Sequence, residues 1–331
     1  MVAEHKSRLT ASEIAAVWSS YQNNTFSICM LKYFLANVED NEVESVLAFA
    51  LNTAEKSFQT TVEILQKNDQ PIPIGFSTED FSPSAPRLYS DAFYLYFLKN
   101  MSKIGVSVYG IALATTAQTE VRKYMSEAIA LSTELYNKAA EVLLSKGLFI
   151  RTPYVSTNDV IDFVDKKSYL GGLLILNKRP LNVIEITHLH ANTEANVIGM
   201  TLLAGLAQVA KSQKVREYCY RGKEIAKKHV ELFSSKLKQD DLSAPTPWDI
   251  EITNSTISPF SDKLIMFLTA LLNASSISNY ATSSATSLRL DVSTVYVRLT
   301  AEIAQFSLDG ANLLIYNGWL EQPPQIPDRK E

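Results

Sequence analysis

Apolar residues recur at Ile14, Val17, Trp18, Tyr21, Ile28, Leu31 and Leu35, mostly three or four apart, with polar positions between. An α-helix turns once every 3.6 residues, so this spacing lines one face and predicts a helix. Asn37-Val-Glu-Asp interrupts it. A second stripe, Val43, Val46, Leu47, Ala50, Ala54, Phe58, Val62 and Leu65, predicts a helix from about Glu42 to Gln66. The next stretch, NDQPIPIGFSTEDFSPSAPRL, is rich in proline and turn residues and reads as a connection. A third helix is expected from Tyr89 to about Thr116. A fourth is expected from Glu120 to Ser145, where Val121, Tyr124, Ala128, Leu131, Leu135 and Val142 fall at heptad-like positions. Gly147 suits its C-terminal cap. Strand signals are nearly absent.

The pattern then repeats. LTASEIAAVWSSYQNN (9–24) lies over LNVIEITHLHANTEAN (181–196), so that Leu9 meets Leu181, Glu13 meets Glu185 and Asn24 meets Asn196, an offset of 172. Val43 meets Val215, Ala54 meets Ala226, Leu65 meets Leu237 and Pro73 meets Pro245. After a one-residue slip Ser90-Asp91 meets Ser261-Asp262 and Tyr109 meets Tyr280. Gly147 meets Gly318 and Pro153 meets Pro324. A register held this long marks a duplication, and a unit this large is a domain rather than a solenoid repeat. The expected organisation is a four-helix bundle over 1–154, a linker over 155–180 and a second bundle over 181–331. Short loops make helices one and two, and three and four, antiparallel neighbours. The connection of about twenty residues between helices two and three allows a crossover along the bundle, as in ferritin-like folds. The expected fold is therefore all-α, a tandem duplication of a ferritin-like four-helix bundle.

Three local expectations concern the third helix and the linker. Gly105 and Gly110 stand inside the third helix, where glycine costs about 1 kcal/mol against alanine, so close helix packing or a local bend is expected there. Phe93, Tyr94, Tyr96 and Phe97 cover several faces of that helix, so one side should be exposed or meet another bundle; packing between domains or against the crossover is the expected use, and a ligand pocket is the alternative. The apolar linker stretch YLGGLLIL is too short to cross a bilayer and is expected to pack between the bundles.

At 331 residues the chain has room for about two domains of roughly 150 residues each. It is 46% hydrophobic and 20% charged, ordinary for a soluble protein. A net charge of −4 without a basic stripe gives no sign of a nucleic-acid surface. Uncharged runs such as VSVYGIALATTAQT are too short or too polar for a membrane span. The start, MVAEHKSRLT, has no apolar signal region. Cys29 and Cys219 have no metal-ligand spacing and read as buried thiols in a reducing cytoplasm.

Candidate chemistry centres on histidine. His190 and Glu194 are four apart and share a helical face, with His229 on the next helix. Imidazole and carboxylate suit zinc or iron. A di-iron bundle, however, needs a Glu from each of two helices and Glu-x-x-His from each of the other two. The first repeat has no histidine after His5. In the second, Glu224 and His229 are five apart and diverge. His188 and His190 align with Ala16 and Trp18, and Trp18 lies on the apolar stripe, which favours packing for His190. No metal, cofactor or catalytic residue is assigned on this basis. Glu127, Glu134 and Glu141, seven apart, with Lys123 and Lys138 four residues from partners, read as a solvated face or the flank of a helix contact. There is no phosphate-binding glycine loop, dinucleotide fingerprint or nucleophile elbow.

The stretches NVEDNEVESVLAFAL, QPIPIGFSTEDF, APRLYSDAFYLYFLKNMSKIG, ELYNKAAEVLLSKGLFIRTPY, RPLNVIEITHL, SPFSDKLIMF and NGWLEQPPQIPDRKE together resemble a two-repeat, ferritin-like family of unknown function from Bacillus and related spore formers. Some of its members are labelled, without demonstrated activity, as spore coat proteins. The resemblance covers nearly the whole chain. It implies a structural or stress role in sporulation and supplies no catalytic residues. Ferritin-like membership would ordinarily suggest iron, and both repeats depart from that motif. The expected function is a non-enzymatic structural or interaction protein of the cytoplasm, mother cell or spore coat, with protein partners or self-association. The alternative is a ligand-binding or enzymatic bundle with a lost or non-standard metal site.

Overall fold

The computed structural model describes residues 8–156, 161–171, 178–246 and 251–326. Among them are eight α-helices: α1 (Ala11–Leu35), α2 (Asn41–Lys67), α3 (Asp91–Ala114), α4 (Thr119–Ser145), α5 (Val183–Val209), α6 (Gln213–Lys238), α7 (Asp262–Thr286) and α8 (Leu290–Tyr316). The chain is all-α and made of two repeats of four helices, each with a long connection between its second and third helix. The helix ends follow local chemistry. Thr10 and Glu13 form a capping box at α1, Asn182 and Glu185 form another at α5, and Asp40 and Ser90 cap α2 and α3. Each such cap is worth about 1 kcal/mol. Gly147 and Gly318 end α4 and α8 with φ of 69° and 67°, the left-handed region where a side chain is disfavoured.

The matching acids do more than cap. Glu13 is 1% exposed, and its Oε1 accepts from the backbone N–H of Ala117 (3.0 Å) and Gln118 (2.6 Å) in the α3–α4 loop. Glu185 is fully buried, and its Oε1 accepts from the backbone N–H of Arg289 (2.8 Å) in the α7–α8 loop. Each acid thus ties the start of its first helix to the far loop of the same repeat. Around this shared contact the repeats diverge. In the first, the Gln118 amide donates to Asn68 (3.3 Å). In the second, Arg179 forks onto Glu185 with two bonds of 2.8 Å, and Arg289 pairs with Asp291 and Asp240. Lys236 also pairs with Asp291 at 2.6 Å.

The chain folds into two compact units. The first comprises Met1–Gly147 together with Ile257–Leu264 and the stretch from Gly318 onward; the second comprises Leu148–Thr256 and Ile265–Asn317. Within the first unit the late segments are pinned by backbone bonds. Ser82 donates to Pro259 and Ser261 to Asp80, both at 2.8 Å, beside an antiparallel bridge of Phe81 with Phe260. The Glu321 carboxylate accepts from the backbone N–H of Ile74 and Gly75 and from Gln22. One core of this unit joins Val17 and Tyr21 of α1, Ile64 and Leu65 of α2 and Val121, Tyr124 and Met125 of α4, with Tyr109 of α3 against it. The second unit closes around Leu189, Phe233, Tyr280, Tyr296 and Leu299, with residues from all four helices.

The structure resolves the local expectations one by one. Phe93, Tyr94, Tyr96 and Phe97 are all buried, so no side of the first half of α3 faces solvent. Phe34 stacks on Tyr94 with ring centres 4.3 Å apart, and Tyr89 stacks on Phe93 at 4.2 Å. Exposure moves to the second half, at Val108 and Ile111. Gly105 does mark close packing, since an added Cβ would stand 2.8 Å from Ser132 Oγ of α4, whereas Gly110 has open space around it. The connecting segment over 161–168 is exposed, including Ile161 and Phe163; residues 172–176 of the YLGGLLIL stretch, on which the packing expectation falls, lie outside the described residues. Glu127 reaches across to Lys56 of α2 rather than to Lys123, while Glu134 pairs with Lys138 as expected. Among the described helices, α7 has the length and apolarity of a membrane span. It places Leu268, Thr269, Tyr280 and Ser283 in the interior, as a core helix does.

Candidate functional site

The middle of the second unit holds a chain of polar side chains inside an apolar shell. Asn192 and Asn196 are four apart on α5 and so share its inner face. Tyr280 and Ser283 are three apart on α7. His229 comes from α6, and Tyr296 and Glu302 come from α8. His229 is fully buried and Tyr280 is 1% exposed. His229 Nδ1 lies 3.0 Å from the Tyr280 hydroxyl, and its Nε2 lies 3.1 Å from Glu302 Oε2. The Asn196 amide donates to the Tyr280 oxygen at 2.7 Å. The Asn192 amide donates to Ser283 Oγ at 2.8 Å and more weakly to the Tyr296 oxygen at 3.5 Å. Phe233 packs edge-on against Tyr280, with ring centres 5.4 Å apart.

Environment sets the charge of each group. Burial pushes the His229 imidazole below its usual range, against the opposing pull of Glu302. Burial disfavours ionisation of Glu302, but Lys228 at 2.6 and 2.8 Å, then His229, hold its carboxyl below the usual range. Burial pushes the hydroxyls of Tyr280 and Tyr296 well above the ordinary tyrosine value. Glu302 is the wet end of the chain, with its side chain 30% exposed.

The three residues considered as a metal set are not gathered as one. His190 is buried and Glu194 half-buried on α5. Both ring nitrogens of His229 are engaged by Tyr280 and Glu302. Glu224 pairs with Lys223 at 2.6 Å. Among the described residues no three His, Cys, Asp or Glu side chains converge on a point that could hold an ion. Sequence reasoning found His229 but not the other members of its polar chain. The signal for two of them was present, because Asn196 and Tyr280 match Asn24 and Tyr109 in the other repeat. Glu302 had no such signal.

The first unit carries a neutral counterpart. The Tyr124 hydroxyl accepts from the Asn24 amide at 3.3 Å and lies beside Ser20, Ser57 and Tyr109. Ser57 occupies the place of His229, so no base stands in that network. Away from these interiors, a groove of about 510 Å³ runs beside α6, lined by Val230, Glu231, Ser234, Ser235, Lys238 and Gln239. Its lining comes from one face of a single helix, unlike a ligand site walled by several elements.

Comparison with known proteins agrees with the duplication. A family model described as "Protein of unknown function (DUF3231)" matches residues 1–161 and again 171–331. The chain belongs to this family. No curated protein sequence matches it. Among solved structures, one from Bacillus halodurans titled "putative spore coat protein" is similar over 46% of this chain and 98% of its own, at 16% identity and a TM-score of 0.42.

Proposed function

We propose that this two-repeat member of the DUF3231 family is a non-enzymatic structural or interaction protein that associates with copies of itself during sporulation. The outer face of α8 carries the reading. Leu290, Val297, Leu308 and Ile315 are all about half exposed or more. With Thr294, Ala301, Ala304 and Ala311 they form an unbroken series of steps of three and four along the helix. That is the spacing of a coiled-coil seam, with alanines that let a second helix approach closely. Single exposed leucines need no explanation, but a continuous apolar seam is a contact surface. We read the four-helix plan with its long second connection as ferritin-like in descent. The spore setting rests on the resemblance to a family of spore formers.

Sedimentation velocity tests the association. The wild-type chain is expected to sediment as a dimer or larger species, and Val297→Glu with Leu308→Glu as a folded monomer. A wild-type monomer at all concentrations would remove the reading. A fluorescent fusion gathering around the forespore supports the setting, and diffuse signal in growing cells opposes it. A second reading, a ligand-binding or enzymatic bundle, draws on the buried histidine alone and would be favoured by a co-purifying small molecule.

A further inference from the structure

The direction of the hydrogen-bond chain in the second unit is set by its ends. The ionised Glu302 carboxylate can only accept. Its bond with His229 therefore requires the proton on Nε2. A neutral imidazole carries one proton, so Nδ1 is an acceptor. The Tyr280 hydroxyl, 3.0 Å away, donates to it. Asn196 completes the far end by donating to the phenol oxygen. Tyr280 thus has a base in contact with its proton. It also has a donor already placed on the oxygen that would remain once that proton had left. Burial of Tyr280 and His229 keeps bulk water from supplying either role.

A phenol that loses an electron becomes strongly acidic. In a low-dielectric interior the resulting cation has no solvent to stabilise it, so electron loss is easy only where a base takes the proton at the same time. We propose that Tyr280 is a redox-active side chain which gives one electron to an oxygen-derived one-electron oxidant while its proton moves to Nδ1 of His229. The second repeat would then act as a sink for oxidising equivalents. The phenol O–H bond breaks and the Nδ1–H bond forms. The oxidant is reduced by one electron. The products are a neutral tyrosyl radical and an imidazolium whose charge is offset by Glu302 through Nε2–H. A thiolate that gives up one electron and becomes a thiyl radical restores the phenol, as the Nδ1 proton returns to its oxygen. Tyr296, with its ring centre 5.7 Å from that of Tyr280, lies close enough to share the radical but has asparagine and serine rather than a base at its hydroxyl.

The first repeat is an internal control. Tyr109 matches Tyr280 in the duplication, but its hydroxyl meets Tyr124 and Ser20, and Ser57 stands in the place of His229. Neither tyrosine of that network has a partner able to take a proton.

Flash photolysis of the full-length protein with ruthenium tris-bipyridine and a cobalt electron acceptor, followed by freezing and electron paramagnetic resonance, tests the proposal. The wild type is expected to show a long-lived neutral tyrosyl signal. Tyr280→Phe should abolish it. His229→Gln, which leaves an acceptor but no base, should shorten its lifetime to that of the remaining tyrosines. Circular dichroism checks that both variants are folded. No long-lived signal in the wild type, or a signal unchanged in either folded variant, would overturn the proposal. If a variant fails to fold, wild-type protein containing histidine labelled with nitrogen-15 decides. A nitrogen coupling from an imidazolium bonded to the radical oxygen supports the assignment, and a radical without that coupling refutes it.

Discussion

The two repeats place the same residue types at matching positions and surround them with different chemistry. Glu13 and Glu185 make the same tie to the far loop of their repeat, and Asn24 and Asn196 both donate to an interior tyrosine. Beside the tie, the first repeat has the neutral pair Gln118 and Asn68 where the second has Arg289 and Asp240. In the interior, the first has Ser57 where the second has His229. The backbone plan is thus indifferent to whether its buried polar groups are neutral or charged, provided they are satisfied. The two versions respond differently to the loss of one member. A lost neutral partner leaves a modest desolvation cost, whereas a lost charge leaves another buried charge uncompensated.

The largest expected effect is therefore at Arg289, which is 1% exposed. Arg289→Gln installs the first repeat's residue but strips Asp240 of its cation and leaves Asp291 to Lys236 and Lys178, and should destabilise the second unit by about 3 kcal/mol. Amide exchange should quicken in α5–α8 more than in α1–α4, and Asp240→Asn added to it should restore part of the loss. If Arg289→Gln costs no more than Gln118→Ala, the contrast between the two ties fails. Next, Tyr280→Phe removes one of the two acceptors of the Asn196 amide, which keeps the Asn192 carbonyl, and leaves His229 Nδ1 unpaired, which should cost about 1–3 kcal/mol. Tyr109→Phe should cost less, because Tyr124 keeps Ser20, Asn24 and Ser57. Urea unfolding of the two variants ranks them.

Acid should separate the repeats further. The folded pKa of His229 lies below its unfolded value near 6.5. Below that pH the unfolded chain binds a proton that the folded chain refuses, so the second unit loses stability as pH falls through 6.5. His229→Gln should reduce this slope, leaving the part that His188, also depressed by burial, contributes. The depressed carboxyls act lower. Asp291 is held down at about 2 and Glu185 below its usual range, so their stabilisation is present above about 4 and lost as pH falls toward 2. NMR spectra taken along the titration should show the amides of α5–α8 shifting to unfolded positions before those of α1–α4. The smallest effect is a matched pair. Gly147→Ala and Gly318→Ala should each cost about 1 kcal/mol, equally, because both sit at positive φ in open space. Unequal costs would show that the repeats differ even at their helix ends.

Much of this architecture was legible from spacing alone. The stripes from Val43 to Leu65 and from Val121 to Val142 placed α2 and α4 within a residue or two, since an amphipathic face needs only its own period to be recognised. Gly147 was recognisable because a helix end makes a local demand on one φ angle. The aromatics of α3 were not readable in the same way. A run apolar on all faces says that a segment is buried or sticky, and only the neighbours decide which. Of the interior site, His229 stood out as a rare residue type. Its link to Glu302 was invisible, because two residues on different helices meet through packing that neither local sequence encodes.

The sequence by itself determined eight helices, their pairing by short loops and the duplication, because these depend on period, turn chemistry and register, each a property of neighbouring residues. Tertiary structure alone decided the remaining features. It drew 257–264 and the stretch from Gly318 onward into the first unit, buried the aromatic first half of α3 but not its second half, and left a seam on α8 uncovered. It also gave His229, weighed as a metal ligand, a tyrosine and a glutamate as its partners. Such outcomes depend on which distant groups satisfy one another once water is excluded, and that choice is made only when the helices have packed.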